Sequence, residues 1–354
     1  MPVTIRDVAK RLGLSVTTVS RALAGYDDVA DATRERVIQT AEDMGYTPSH
    51  AARQLRRKRT DTIGLIFPTL GNRFSDPFFS EFMAGVGDQA SQNNYDLLVS
   101  VAPPGEDERN AYQRWVQSRR VDGFILVRIR RTDWRIQYLS ENKFPFMSFG
   151  RSQTVNGAPH IGVDGKSGML ELTRHMIEMG HRRIAFIGAS QELTLSRDRM
   201  EGYLSGLKEA GITPDPDLVL VAQLTRSTGH ASALQLLQLQ DPPTAIIGIN
   251  DLTALGAMRA AQELGLNIGR ELAIAGFDGT EAGEHATPPL TTVAQPVYQI
   301  GSEACATLIE LINNGQHESV QQLVKPTLII RRSTQPDGVN QPEEEGTNHQ
   351  ASSP

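Results

Sequence analysis

Two groups of residues in this 354-residue sequence have types and spacings that could do chemistry. The first lies near the N-terminus: Thr4, Ser15, Val16, Thr17, Thr18, Ser20 and Arg21. Hydroxyls and a guanidinium among helix-forming residues can hold phosphates and read base edges. Arg21 suits a bidentate contact to guanine, Val16 and Thr17 suit base contacts, and Ser15 and Thr18 suit phosphates. The second group follows apolar, strand-like runs further along: Asp76, Phe78 and Phe79; Arg128, Arg130 and Asp133; Arg151; Asp164; Arg197 and Arg199; Asn250 and Asp251; Phe277 and Asp278; Gln295. Open α/β sheets bind ligands beyond the carboxyl ends of their strands. Carboxylates, amides and arginines can each make paired hydrogen bonds to sugar hydroxyls, and an aromatic ring covers the apolar face of a pyranose. Plainer readings stand beside these. Phe78 and Phe79 also fit a core, Asp251 a helix N-cap, and Arg128, Arg130 and Arg131 a solvated run.

The elements that must position the first group are short helices. Thr4 and Asp7 read as a capping box that starts a helix at Ile5, with Val8, Ala9 and Leu12 on one face. Gly13 breaks it where a tight turn needs φ > 0, and Ser15 caps a second helix. That helix is expected to bury Val19 and Leu23 and to expose Thr17, Thr18, Ser20 and Arg21. The pattern is a helix-turn-helix, whose second helix enters the DNA major groove. A third helix is expected over 32–44, capped by Asp31, striped by Val37, Ile38 and Ala41, and stopped by Gly45. Residues 49–59 follow Pro48 and hold Arg53, Arg56, Arg57, Lys58 and Arg59 around a small apolar face of Ala52 and Leu55. So short and self-repelling a stretch reads either as a solvated linker or as a helix formed only on DNA, with Leu55 wedged into the minor groove.

Residues 3–59 resemble the DNA-binding head of the lac repressor (LacI/GalR) family. The resemblance is carried by T-I-R-D-V-A, G-L-S-V-T-T-V-S-R-A-L, T-R-E-R-V, G-Y-T-P and A-A-R-Q-L, and it continues to residue 332. Ser49 departs from the family's usual Asn, with small effect because Ser also caps helices. The resemblance implies DNA contacts from Thr4, Ser15, Val16, Thr17, Thr18, Ser20, Arg21, His50, Ala52, Arg53, Leu55 and Arg56. It also implies effector contacts at Phe78 or Phe79, Asp164, Arg199 in R-x-x-G-Y, Asn250 in I-N-D and Asp278 in G-F-D, with Arg151 and Asp133 as further positions. Asp76, Phe277 and Gln295 complete the candidate effector set. The stretches R-I-R-R-T-D-W-R-I-Q-Y-L and F-P-F-M-S-F-G-R also resemble regulators of α-glucoside use, which points to a glucoside effector.

From residue 62 the pattern alternates. Strand-like runs at 63–67, 97–101, 123–127 and 146–149 are interleaved with helical stretches, and a second set at 184–187, 218–221, 245–249 and 272–277 repeats the scheme. Two βαβ series imply two parallel α/β layers. The expected fold is therefore an N-terminal all-α helix-turn-helix head followed by an α/β, periplasmic-binding-protein-like, two-lobed effector domain. The expected divisions are a head at 1–48, a hinge at 49–61, an effector and dimerisation domain at 62–332, and a disordered polar tail at 333–354. The resemblance places chain crossings near 161–163, 291–294 and 322–324. The first lobe is then about 62–161 and 294–322, and the second about 164–291 and 324–332.

Charge is unevenly placed. Residues 1–59 carry +4 and the remainder −10, within a net charge of −6. A basic head on an acidic body implies that only the head meets nucleic acid. Cys305 is the single cysteine and reads as a core residue. The eight histidines lack metal-ligand spacing, and no cofactor is expected. No G-x-G-x-x-G follows a strand and no nucleophile–base set stands out, so an enzyme is not expected. A secreted sugar-binding transport receptor, the more distant alternative, fits neither the basic head nor the lack of an apolar leader. The reading is a cytoplasmic, nucleoid-associated, sequence-specific transcriptional regulator, expected to be a repressor. It would bind a palindromic double-stranded operator as a homodimer, with no membrane partner, under the control of a small sugar. A regulator of the same fold answering a non-sugar metabolite is the nearer alternative. The tail lacks leucine heptads that would join dimers into tetramers.

Overall fold

The computed structural model describes residues 3–46, 59–68, 76–315 and 320–335. The chain divides into two units, Met1–Asp61 and Thr62–Pro354.

The head unit holds α1 (Ile5–Leu12), α2 (Val16–Leu23) and α3 (Asp31–Asp43). The Asp7 carboxylate accepts the Thr4 backbone N–H at 2.9 Å and its hydroxyl at 2.7 Å. This satisfies a donor that the first helical turn leaves open. Gly13 adopts φ 65°, a turn conformation that costs glycine little, and the Leu14 N–H returns to the Ala9 carbonyl. Ser15 caps α2 by accepting the Thr18 N–H at 3.0 Å. Val8, Ala9, Val19, Ala22, Val37 and Ala41 form the core. Three expectations need correcting. Ile38 is exposed and not part of the buried stripe of the third helix. The third helix begins at Asp31, which pairs with Arg34 at 2.8 Å, and Ala30 holds the cap position. Ser20 is buried, because the inward face of α2 spans Val19, Ser20 and Ala22, while Leu23 is only partly covered.

The second unit contains two six-stranded sheets. The first runs β11-β5-β4-β3-β1-β2 and the second β12-β10-β9-β8-β6-β7. The strands are β1 (Thr62–Pro68), β2 (Asp96–Ala102), β3 (Gly123–Leu126), β4 (Phe146–Phe149), β5 (His160–Val163), β6 (Ile184–Gly188), β7 (Val219–Val221), β8 (Ala245–Gly248), β9 (Ala273–Asp278), β10 (Thr291–Ala294), β11 (Gln321–Val324) and β12 (Thr327–Ile329). All pair in parallel except β12, which runs antiparallel to β10 and corrects the expectation of wholly parallel layers. Strands β3, β6 and β8 are buried throughout, as expected of parallel strands covered on both faces. The helices are α4 (Pro77–Gln92), α5 (Glu106–Gln117), α6 (Trp134–Glu141), α7 (Gly165–Glu178), α8 (Thr194–Glu209), α9 (Arg226–Leu237), α10 (Asp251–Glu263), α11 (Glu281–Glu284) and α12 (Val297–Asn314).

The chain leaves the first sheet after Val163, returns after Ala294 and leaves again after Val324. Each passage lies at the downstream end of its expected window, because β5, β10 and β11 finish their pairing before the chain crosses. Ser333 and Thr334 are buried. The Ser333 hydroxyl bonds the Ile274 carbonyl at 2.6 Å, so the ordered body extends past the expected start of the tail. Residues 336–354 lie outside the described residues.

Helices α4 and α12 cross at Gly85 and Gly301. A Cβ on Gly85 would run into the Tyr298 carbonyl, and one on Gly301 into the Phe82 carbonyl. Gly301→Ala is therefore expected to destabilise this unit by about 1–3 kcal/mol through overpacking. Urea unfolding checks this as a lower midpoint at unchanged slope. One turn further along α12, Cys305 is wholly buried, and burial pushes its thiol pKa up to about 12. Among the described residues no helix is long and apolar enough to cross a membrane.

Candidate functional site

The two lobes enclose a cavity of about 290 Å³ beyond the carboxyl ends of their central strands. Four helices present their N-terminal ends or first turns to it. Asp76 caps α4, accepting the Phe78 N–H at 3.2 Å, and Asp164 caps α7, accepting the Ser167 N–H at 3.0 Å. Asn250 caps α10, its Oδ1 accepting the Thr253 N–H at 3.0 Å and hydroxyl at 2.6 Å. The fourth helix, α8, brings Thr194 and Arg199. These caps are fixed by their own helices, so the polar lining is preorganised, and the helix dipoles favour oxygen-rich ligands.

The deep end is built on Asp278. Its Oδ1 accepts from Gln295 Nε2 at 2.6 Å and from Arg199 Nη2 at 3.4 Å. Arg199 also donates to the Ile249 carbonyl, and its guanidinium lies 3.7 Å above the Phe277 ring. Burial, with Asp251 and Asp76 nearby, outweighs Arg199 and pushes the Asp278 carboxyl up to about 8. Burial likewise lowers the Arg199 pKa. Asp278 sits at φ 128°, which is strained for a residue with a side chain. The buried Nε of Arg199 has no hydrogen-bond partner. A donor and an acceptor held in this way can bind one pair of adjacent hydroxyls.

The wall is aromatic. Phe78 packs edge-on to Phe79 at 5.3 Å and lies 5.6 Å from Phe149, while the Arg128 guanidinium stands 5.1 Å over Phe79. Phe78 and Phe79 thus belong both to the hydrophobic core and to the cavity lining. Five carboxylates and four cationic side chains line the cavity, a near balance that suits a neutral ligand.

Of the expected effector residues, Asp76, Phe78, Phe79, Arg151, Asp164, Arg199, Asn250, Asp278 and Gln295 line this one cavity. Asp133 does not. It is wholly buried as the cap of α6 and is bound to Arg135 at 2.6 Å. Phe277 has no exposed surface and serves as the shelf under Arg199. The α10 cap is Asn250; Asp251 is the first helical residue, and its carboxylate bonds Thr280 and Thr292. Sequence reasoning missed Phe149, Lys166, Thr194, Asp198, Glu201 and Leu323. Three of these, Thr194, Asp198 and Glu201, share a face of α8 at helical spacing, which is the signal that could have found them.

On the head, Thr4, Ser15, Val16 and Thr17 are exposed, and Thr18 is partly so. The Ser15 and Thr18 hydroxyls bond each other at 2.8 Å. Arg21 is paired with Asp28 and lies 4.9 Å over the Tyr26 ring. The buried Ser20 does not share this exposed face. His50, Ala52, Arg53, Leu55 and Arg56 lie outside the described residues.

Comparison with known proteins agrees with both units. The model of bacterial regulatory proteins of the lacI family matches residues 4–49, and a periplasmic binding protein-like domain matches residues 173–334. The HTH-type transcriptional regulator AglR of Rhizobium meliloti is 34% identical over 343 residues, covering 95% of this chain and 95% of its own. A structure of the transcriptional regulator CelR–cellobiose complex aligns with TM-score 0.73 and 30% identity, covering 94% of this chain and 99% of that one. The lac repressor dimer bound to operator and the anti-inducer ONPF aligns with TM-score 0.83 and 27% identity, covering 95% and 100%.

Proposed function

Because the chain belongs to the lacI family of bacterial regulatory proteins, and is a DNA-binding transcription regulator rather than an enzyme, we propose that it is a repressor. It grips a two-fold symmetric operator as a homodimer, and a small neutral sugar in the inter-lobe cavity, of glucoside type, controls that grip. The observation that carries the effector reading is the Arg199–Asp278–Gln295 group at the deep end of a charge-balanced, aromatic-walled cavity. Support comes from the structure of a relative in complex with cellobiose. Arg21 reads guanine after exchanging Asp28 for the base, a contact worth about 1–3 kcal/mol of discrimination. Ser15 and Thr18 hold phosphates. The lining comes from both lobes, so a ligand touching both favours their closed arrangement. It shifts the equilibrium only by its differential affinity for the two states.

Two measurements test this. Selection from random DNA is expected to return an inverted repeat; a single unrepeated half-site would sink the dimer. In a thermal-shift panel of mono- and disaccharides, an effector at roughly 100 times its Kd stabilises by about 2.7 kcal/mol. A response to a purine or an amino acid, with none to any sugar, would refute the sugar and keep the mechanism.

A further inference from the structure

Beside the cavity, the two lobes join through main-chain hydrogen bonds. The Arg131 N–H donates to the Glu192 carbonyl at 2.8 Å, and the Thr194 N–H donates to the Ile129 carbonyl at 3.0 Å. Together they make an antiparallel bridge centred on Arg130 and Leu193. Ile129 and Thr194 also line the cavity, so the bridge is part of its wall.

Each half is braced within its own lobe. On the first-lobe side, the Asp133 carboxylate accepts the Arg130 N–H at 3.0 Å, and the Arg130 guanidinium pairs with the buried Glu108 at 2.7 Å. The Arg131 carbonyl accepts from the Gln153 N–H at 3.0 Å. On the second-lobe side, the Leu193 N–H donates to the Ser190 carbonyl at 3.1 Å, and the Ser196 hydroxyl donates to the Ala189 carbonyl at 2.7 Å. Two rigid halves can meet at only one separation and orientation of the lobes.

We propose that residues 129–131 and 192–194 form a latch that closes the cleft over its effector, so that part of the effector's affinity resides in two backbone hydrogen bonds that no ligand atom touches. The proposal rests on reading the cavity as an effector site. The latch also gives the closed state a contact that the open state lacks, and lobe closure becomes a discrete switch.

The test removes one latch donor without disturbing the helix. Thr194 is the first residue of α8, where the helix makes no use of the N–H and proline is welcome. Leu193, at φ −79° and ψ 128°, already has the extended conformation that a residue before proline requires. Thr194→Pro therefore deletes the bond to Ile129. Thr194→Ala keeps that bond and removes only the hydroxyl, which controls for the side chain's place in the cavity wall. Without any ligand, the Arg131 amide is expected to exchange at least about 10-fold faster in Thr194→Pro than in Thr194→Ala. Unchanged protection of Ile187 and Ile247 shows that the second sheet is intact. In titrations with glucose, maltose and cellobiose, Thr194→Pro is expected to bind about 5–30-fold more weakly than Thr194→Ala. Equal Arg131 exchange in the two variants, or equal sugar affinity, overturns the latch. If none of the three sugars binds the wild-type protein, the glucoside reading fails while the exchange comparison still decides the latch.

Discussion

Asp278→Ala is expected to weaken sugar binding by at least about 100-fold and to remove the sugar's effect on operator binding. Leaving a buried donor unsatisfied costs about 1–3 kcal/mol, and this change removes the sugar's contact to Asp278 together with the acceptor that Arg199 and Gln295 share. Operator titration with and without sugar is the measurement. A variant answering at the wild-type sugar concentration shows that the deep end of the cavity has been misassigned. The sugar-free titration in the same samples checks that the head is intact.

The same carboxyl makes stability depend on pH, with a definite sign. Its folded pKa of about 8 stands above the ordinary 3.8, so the folded state holds the proton more tightly than the unfolded chain. The penalty for burying the charge is absent below about pH 4 and complete above about pH 8. Across that window Asp278 lowers stability as pH rises. Asp278→Asn, which never ionises, should gain stability over the wild type progressively through the same range. A constant difference between the two proteins at pH 5 and pH 8.5 would contradict the buried charge.

Arg135→Met is expected to cost the effector unit about 3–5 kcal/mol, because it leaves Asp133 and Glu108 buried with their shared cation gone. Arg135, Asp133 and Glu108 have no exposed side-chain surface. Burial alone would raise the Asp133 carboxyl, yet hydrogen bonds from Arg135 hold it below the usual range. The stability this pair contributes is present at neutral pH and lost as pH falls through that lowered pKa. Calorimetry should show the unfolding midpoint falling by roughly 10 °C. Arg130 still pairs with Glu108 in the variant, so a loss below about 1 kcal/mol would mean that Arg130 alone sustains the cluster.

Much of the cavity lining was legible because each sheet places its cavity-facing groups where the strands end. Asp164 and Asn250 are caps directly after a crossing and a strand, and Asp76 caps the first helix after β1, so the rule finds them without knowledge of the packing. The rule also picks Asp133, which has the same local chemistry. Only the tertiary position of Arg135 turns its carboxylate inward, and no periodicity records that. The strands β5, β10, β11 and β12 were missed for a related reason. Each is three or four residues long and mixes polar residues with apolar ones, as at His160, Thr291, Thr292, Gln321, Gln322 and Thr327. Their short runs carry too few alternations to show a period. Ser20 was misplaced because a hydroxyl on a short amphipathic helix can face either way, and here α2 turns it toward the core.

Cys305 is inert in the folded protein, and this makes the molecule convenient for spectroscopy. Burial pushes its thiol pKa up, so the reactive thiolate is scarce at neutral pH, and the side chain has no exposed surface for a reagent to reach. A maleimide dye should pass over the native chain. One cysteine introduced at the exposed Val16 would then carry the only label, reporting contact with DNA from the helix proposed to make it. Labelling of Cys305 itself would count only molecules that have unfolded around α12, turning the buried thiol into a clock for global opening.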